Sequence, residues 1–180
     1  MRAHDIRLAV TPEDRRIAAL AALAVGLTLA EAALPTPLPG VKPGLANVVI
    51  LLVMLRHGLA TASWVMLVRL LAASLVLGTF LSPGFWLASA GAAASLGVLY
   101  LVRALPRSLF GPVSFSTLMA FAHVGGQLVL AKLWLFPTAD IALLMPLFAL
   151  AALVFGTANG LIVARLIAED GMAGAQSAHV

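Results

Sequence analysis

The chain has 180 residues, of which 62% are hydrophobic and 10% are charged, and its mean hydropathy is +1.08. Soluble domains are about 45–50% apolar and about 25% charged, and a soluble fold of this size cannot hide so much apolar surface from water. The stretches Leu70–Val102, Ser108–Ala131 and Ile141–Ala164 contain no Asp, Glu, Lys or Arg. Because about 20 apolar residues cross a bilayer as a helix, the composition predicts an all-α, polytopic membrane protein and excludes soluble enzymes and nucleic-acid-binding domains.

Proline, glycine and charged residues divide the chain into about six predicted transmembrane helices. They are Ile17–Leu34, Leu45–Leu55, Leu59–Leu81, Phe85–Val102, Val113–Leu135 and Ile141–Leu166. Thr11–Asp14 before the first of them is a predicted helix start. The second is too short to cross the hydrocarbon core unaided, so we expect it to be buried by protein or to begin below the membrane surface. Residues 1–16 are predicted as a cytoplasmic segment, 17–167 as the transmembrane domain and 168–180 as a flexible cytoplasmic tail.

The positions of Lys and Arg predict the orientation of the chain. With both termini in the cytoplasm, eight basic residues lie on the inner side, and only Lys42 and Lys132 lie on the outer side. This bias is typical of a multi-pass protein of the bacterial cytoplasmic (inner) membrane. The inner residues are Arg2, Arg7, Arg15, Arg16, Arg56, Arg103, Arg107 and Arg165.

Ionisable and amide side chains inside membrane helices are candidate functional residues. Glu31 lies near the outer end of the first helix, Asn47 near the outer start of the second, and Arg69 near the middle of the third. His123 and Gln127 are four residues apart on the fifth helix and therefore share a face. Two arrangements fit: all five residues converge on one internal cavity, or Glu31 and Arg69 form a structural ion pair beside ordinary interhelical hydrogen bonds.

Small residues recur every four positions on two helices, which allows the backbones of neighbouring helices to approach closely. On the sixth helix, Gly156, Gly160 and Ala164 predict packing inside the bundle. On the first helix the stripe faces either the bundle or another subunit. Its members are Ala18, Ala22, Gly26 and Ala30.

The chain lacks the motifs of common catalytic and metal sites. It has no cysteine, no phosphate-binding loop, no H-E-x-x-H pair and no acidic motif for magnesium and diphosphate, and its four histidines are scattered. We therefore predict no metal, no cofactor and no catalysis by this chain alone.

Three segments resemble a bacterial membrane family. Leu38–Asn47 reads LPGVKPGLAN and resembles a PGxKxGLAN signature, Leu67–Leu71 resembles an LRxLL segment, and Ala122–Gln127 resembles an AxHNxGQ segment. The chain is thereby similar, over about residues 17–167, to the Gx transporter family, also called heptaprenyl diphosphate synthase component I.

The resemblance implies a relationship to the substrate-binding S components of energy-coupling factor transporters. It implies that Pro35–Gly44 is an outer lid and that Ala18, Ala22 and Gly26 dock to an energising transmembrane subunit that works with ATPases. It adds Lys42 to the candidate binding residues Glu31, Asn47, Arg69, His123 and Gln127. The solute that it suggests is small and related to isoprenoids, quinones or flavins. The five-donor guanidinium of Arg69 adds an anionic ligand, such as a carboxylate or phosphate, as a further candidate.

Two functions remain open at this point. The chain is a substrate-binding transport component, or it is a non-catalytic membrane subunit of a polyprenyl diphosphate synthase or of a redox complex. A ligand cavity with Arg69 in its wall favours the first, and a packed bundle with Arg69 fully paired to Glu31 favours the second.

Overall fold

The computed structural model describes residues 10–35, 42–102, 110–138 and 140–177, with side chains described as far as residue 170. Six α-helices account for most of these residues, and the described ranges contain no strand, which confirms the predicted all-α architecture. A π-helical turn, Ala131–Leu135, extends α5, and a 3-10 turn, Ile141–Leu144, precedes α6. The helices are α1 (Pro12–Ala33), α2 (Ala46–His57), α3 (Leu59–Val76), α4 (Pro83–Val102), α5 (Pro112–Leu130) and α6 (Met145–Ser177).

The outer surface of the bundle is apolar. All helices except α2 are long and apolar enough to cross a membrane once the turns next to α5 and α6 are counted with them. Their outward side chains include Trp64, Leu101 and Leu143, which are 67%, 75% and 83% exposed. A surface of this kind is stable in contact with lipid and unstable in water, so the chain is a multi-pass membrane protein.

The short helix α2 forms the centre of the bundle. It contacts α1, α3, α5 and α6, and seven of its twelve residues are buried, among them Ile50, Leu51 and Val53. At about 1.5 Å per residue, α2 is roughly 18 Å long, well short of a hydrocarbon core of about 30 Å. The expectation that this helix is buried by protein is confirmed.

Helix α3 ends five residues earlier than predicted. The amide of Gly78 donates to Leu75 O at 3.2 Å and the amide of Thr79 donates to Ser74 O at 2.8 Å, the pair of bonds that closes a helix in a Schellman motif. Gly78 has φ +67°, the left-handed conformation that this ending requires. Hydrophobicity continues to Leu81, but the glycine ends the helix.

Helix α1 begins at its predicted start, and α6 is longer than predicted. Helix α1 begins at Pro12, because Thr11 and Asp14 form a capping box in which each side chain bonds to the other residue's amide. Helix α6 continues to Ser177, past the predicted boundary at residue 167. Ala, Met and Glu in this segment favour helix, and extending an existing helix is easier than starting one.

Glycines bring α4, α5 and α6 into close contact. A Cβ placed on Gly126 of α5 would be 2.7 Å from Ala90 O of α4, and one on Gly160 of α6 would be 2.5 Å from Val113 Cα of α5. Gly156 is similarly close to α5, with a Cβ position 2.8 Å from Thr117 Cα. The prediction that Gly156 and Gly160 pack inside the bundle is confirmed.

Polar contacts join the N-terminal end of α1, the C-terminal end of α2 and the C-terminal part of α6 at one end of the bundle. Arg56 forms an ion pair with Asp170, and His57 Nδ1 lies 3.3 Å from Glu13 Oε1. None of these four residues lines the central cavity of the bundle.

Candidate functional site

A cavity of about 440 Å³ lies inside the bundle and is lined by parts of all six helices and by residues 42–44. Its wall brings together all the residues that the sequence analysis singled out for ligand binding. These are Glu31, Lys42, Asn47, Arg69, His123 and Gln127. Lys42 is exposed, Glu31 and Arg69 are buried, and the other three are half-buried.

The chain enters α2 through non-helical residues 42–45, whose backbone polar groups are met by side chains from other helices. Asn159 Nδ2 of α6 donates to Pro43 O at 2.9 Å and to Gly44 O at 3.2 Å. The Leu45 amide donates to Glu31 Oε1 at 2.5 Å, although α2 has no capping side chain of its own. Non-helical backbone inside a membrane protein is tolerated where protein or a cavity surrounds it, so these two side chains hold the segment at the cavity wall.

The guanidinium of Arg69 bonds to Asn47 rather than to Glu31. Its Nη1 donates to Asn47 Oδ1 at 3.1 Å, whereas no ion pair within 4.0 Å joins Arg69 to Glu31. The Glu31 carboxylate is instead placed at the amino end of α2, where the unpaired amides and the helix dipole favour an anion. Of the two arrangements left open by the sequence, the convergence on one cavity is the one observed.

His123 and Gln127 form a pair on the α5 side of the cavity. Gln127 Nε2 lies 3.2 Å from His123 Nε2, as their spacing of four residues predicts. His123 Nδ1 is buried and has no hydrogen-bond partner. The ring packs against Gly91 of α4, where a Cβ would come within 2.8 Å of it.

The rest of the lining combines hydroxyl groups with aromatic and aliphatic side chains. Serine and threonine side chains come mainly from α1, α3, α5 and the turn between α3 and α4, and three phenylalanines come from α4 and α6. Such a wall suits a ligand that is polar at one end and apolar elsewhere. The hydroxyl residues are Thr28, Ser74, Thr79, Ser82 and Ser116, and the aromatic residues are Phe85, Phe148 and Phe155.

Sequence reasoning missed Asn159, which is 6% exposed and lines the cavity. The signal was present, because an amide in the apolar run from Ile141 to Ala164 is as unusual as Asn47 in the second helix. Its two bonds to the backbone of Pro43 and Gly44 connect positions more than 110 residues apart, which no local pattern reveals.

The structure describes little of the predicted lid, and it places the stripe of small residues on the surface of α1. Residues 36–41, most of the predicted lid Pro35–Gly44, lie outside the described residues. The stripe on α1 is exposed at every position, and a Cβ on Gly26 would meet nothing within 4 Å. This stripe, Ala18, Ala22, Gly26 and Ala30, therefore does not pack inside the bundle.

Comparison with known proteins identifies the family of the chain. The family model described as heptaprenyl diphosphate synthase component I matches residues 20–166. The chain belongs to this family. The match includes every residue of the cavity wall named above, and no curated protein or solved structure matches the chain significantly. Within the described residues, no group of three or more His, Cys, Asp or Glu side chains could hold a metal ion.

Proposed function

We propose that this member of the heptaprenyl diphosphate synthase component I family is the substrate-binding component of a membrane transport system for a small anionic solute. The observation that carries the proposal is the position of Arg69 in the wall of a cavity, bonded to Asn47 and not in ion-pair contact with Glu31. A purely structural arginine inside a bundle would be expected to be fully paired with protein groups.

The chemistry of the guanidinium supports an anionic ligand. Arginine has five N–H donors in a planar fork, and the bond to Asn47 uses one of them. An uncompensated charge near the middle of a membrane costs about 2.5–3.5 kcal/mol on insertion scales. A carboxylate or phosphate held by the remaining donors would offset this cost through strong, charge-assisted hydrogen bonds.

The exposed stripe on α1 supports association with a second membrane subunit. Small residues allow another helix to approach the backbone of α1 at Ala18, Ala22 and Gly26. Since the chain has no phosphate-binding loop, we propose that an energising transmembrane subunit and its ATPases supply the energy, as the resemblance to S components implies. In this arrangement both termini lie in the cytoplasm and the segment before α2 faces outward.

A second candidate function comes from the family description, which names a component of a synthase. In this alternative the chain is a non-catalytic membrane subunit that anchors a polyprenyl synthase or a redox complex through the stripe on α1. The adjacent acids of the chain, Glu13-Asp14 and Glu169-Asp170, lie outside the cavity wall, and the described lining residues include no acidic cluster for magnesium and diphosphate.

Retention of a bound small molecule distinguishes the two functions. We would purify the wild type and the variants Arg69→Gln and Arg69→Lys in lipid nanodiscs and identify bound compounds and proteins by mass spectrometry. We expect an anionic compound with the wild type and its loss from both variants, because an ammonium group cannot form the bidentate fork of a guanidinium.

Arg56→Gln is the matched control for this experiment. It removes the same charged group from an arginine that lies outside the cavity and is paired with Asp170, so the compound should be retained. Retention by Arg69→Gln at the wild-type level would contradict the transport proposal. Recovery of a synthase without any small molecule would favour the anchoring subunit.

A further inference from the structure

A second, open pocket lies on the lipid-facing side of the bundle between α3 and α4. Its volume is about 470 Å³, and its lining is apolar apart from the side chains of Ser63 and Ser89. We call this pocket the α3–α4 groove; its wall includes Leu71, Trp86 and Ala93. The large aromatic side chain of Trp86 is 45% exposed there.

The α3–α4 groove adjoins the polar cavity. Leu70 and Phe85 line both the polar cavity and the α3–α4 groove, and Leu70 directly follows Arg69 in the chain. The ring of Phe85 packs edge-on against Phe80 and Trp86, with centroid distances of 5.1 and 5.5 Å. A chain-like molecule that passes between Leu70 and Phe85 would have one end beside the guanidinium and the rest in the groove.

We propose that the α3–α4 groove holds the hydrocarbon tail of the ligand whose anionic head is bound by Arg69. The ligand class is a single-chain amphiphile with a monoanionic head, a long-chain carboxylate. This inference rests on the proposed function, since it assumes that Arg69 binds the anionic part of a ligand.

The charges of the cavity favour a carboxylate over a more highly charged head. Lys42 and Arg69 contribute two positive formal charges and Glu31 contributes one negative charge, which leaves one positive charge to balance. A carboxylate matches both this charge and the bidentate geometry of a guanidinium. A diphosphate would bring more negative charge than the wall can balance.

The head, rather than the tail, must provide selectivity. Lipid tails are as apolar as the leucines of the groove, so a hydrocarbon chain gains little by moving from the bilayer into it. An uncharged molecule with the same tail should therefore not compete with bulk lipid, whereas a carboxylate should bind because Arg69 holds it.

Trp86 provides a direct readout of groove occupancy. The chain has three tryptophans, and Trp64 and Trp134 are exposed outside the groove. In the double variant Trp64→Phe/Trp134→Phe, Trp86 is the remaining tryptophan. The probe is dibromostearate, whose bromine atoms quench a tryptophan that they contact, added to the protein in phosphatidylcholine nanodiscs.

We expect saturable quenching of Trp86 by dibromostearate and none by its methyl ester, which has the same tail without the charge. Arg69→Gln should weaken the binding by about tenfold or more, as expected for the loss of a charge-assisted hydrogen bond. Ala93→Phe, which fills the groove at an exposed position, should weaken it similarly. Ala19→Phe, the same change at an exposed position of α1, should leave it unchanged.

Three other results would overturn the inference. If Arg69→Gln weakens binding and Ala93→Phe does not, the head binds in the cavity but the tail lies elsewhere, and the proposed function stands. If Ala93→Phe alone has an effect, the groove holds ordinary lipid without help from Arg69. If Trp64 and Trp134, each kept as the single tryptophan, are quenched like Trp86 by the acid and by the ester, the probe only partitions into the bilayer.

Discussion

The imidazole ring of His123 on α5 lies directly against Gly91 of α4. A Cβ placed on Gly91 would be 2.8 Å from ring atoms Cε1 and Nε2, and the same Nε2 is 3.2 Å from Gln127 Nε2. Glycine at residue 91 therefore leaves the space in which the ring lies at the cavity wall, and Gly91 positions His123.

Gly91→Ala should displace the ring of His123. We expect the free energy of unfolding either to stay the same or to fall by about 1–3 kcal/mol through overpacking. The ¹⁵N spectrum of the His123 imidazole should also change. Gly97→Ala on the same helix is the control, because a Cβ there meets nothing within 4 Å. Its free energy of unfolding should rise by about 0.5–1 kcal/mol. Thermal unfolding in nanodiscs measures both. Identical behaviour of the two variants would show that Gly91 does not position the ring.

Substitutions of Glu31 test whether it caps α2 or neutralises Arg69. Glu31→Gln retains an oxygen that can accept from the Leu45 amide, so we expect thermal unfolding to change little. Glu31→Ala removes this acceptor from a buried site and should cost about 1–3 kcal/mol. Equal, large losses in both variants would instead indicate that the negative charge itself is required, as in the ion-pair arrangement.

Ala22→Leu tests whether the exposed stripe on α1 binds a partner subunit. Added bulk at a close helix contact separates the backbones, so less of the partner should be captured. Because Ala22 is exposed, the free energy of unfolding of the isolated chain should change by no more than about 0.5 kcal/mol. Ala60→Leu, the same change at an exposed alanine of α3, is the control. Unchanged capture would remove the stripe from the docking surface.

Single cysteines test the predicted topology, because the natural chain has none. A membrane-impermeant thiol reagent should label Val41→Cys in intact cells and should label Glu169→Cys only after the inner membrane is opened. Reporter fusions after Arg107 and Glu169 should likewise report the cytoplasm. The basis is the excess of Lys and Arg on one side; Val41 and Arg107 lie outside the described residues. Labelling of Val41→Cys only in opened cells would reverse the orientation.

The sequence by itself determined the class of fold and most of the candidate site. Long uncharged runs can be stable only in lipid, so the number of helices followed from composition and breakers. Polar side chains inside a membrane must find polar surroundings. Four polar side chains could therefore be expected to line one cavity: Asn47, Arg69, His123 and Gln127. Local spacing was also sufficient to pair His123 with Gln127 and to place Gly156 and Gly160 at a helix contact.

Only the tertiary structure decided which polar groups are partners. Charge alone favoured a bond between Glu31 and Arg69, but the packing of the helices places the carboxylate at the Leu45 amide and the guanidinium at Asn47. Asn159 and Gly91 act across the bundle on residues far away in the chain. Their roles depend on which helix faces which, and this is set by the packing of the whole bundle, which no local pattern in the sequence encodes.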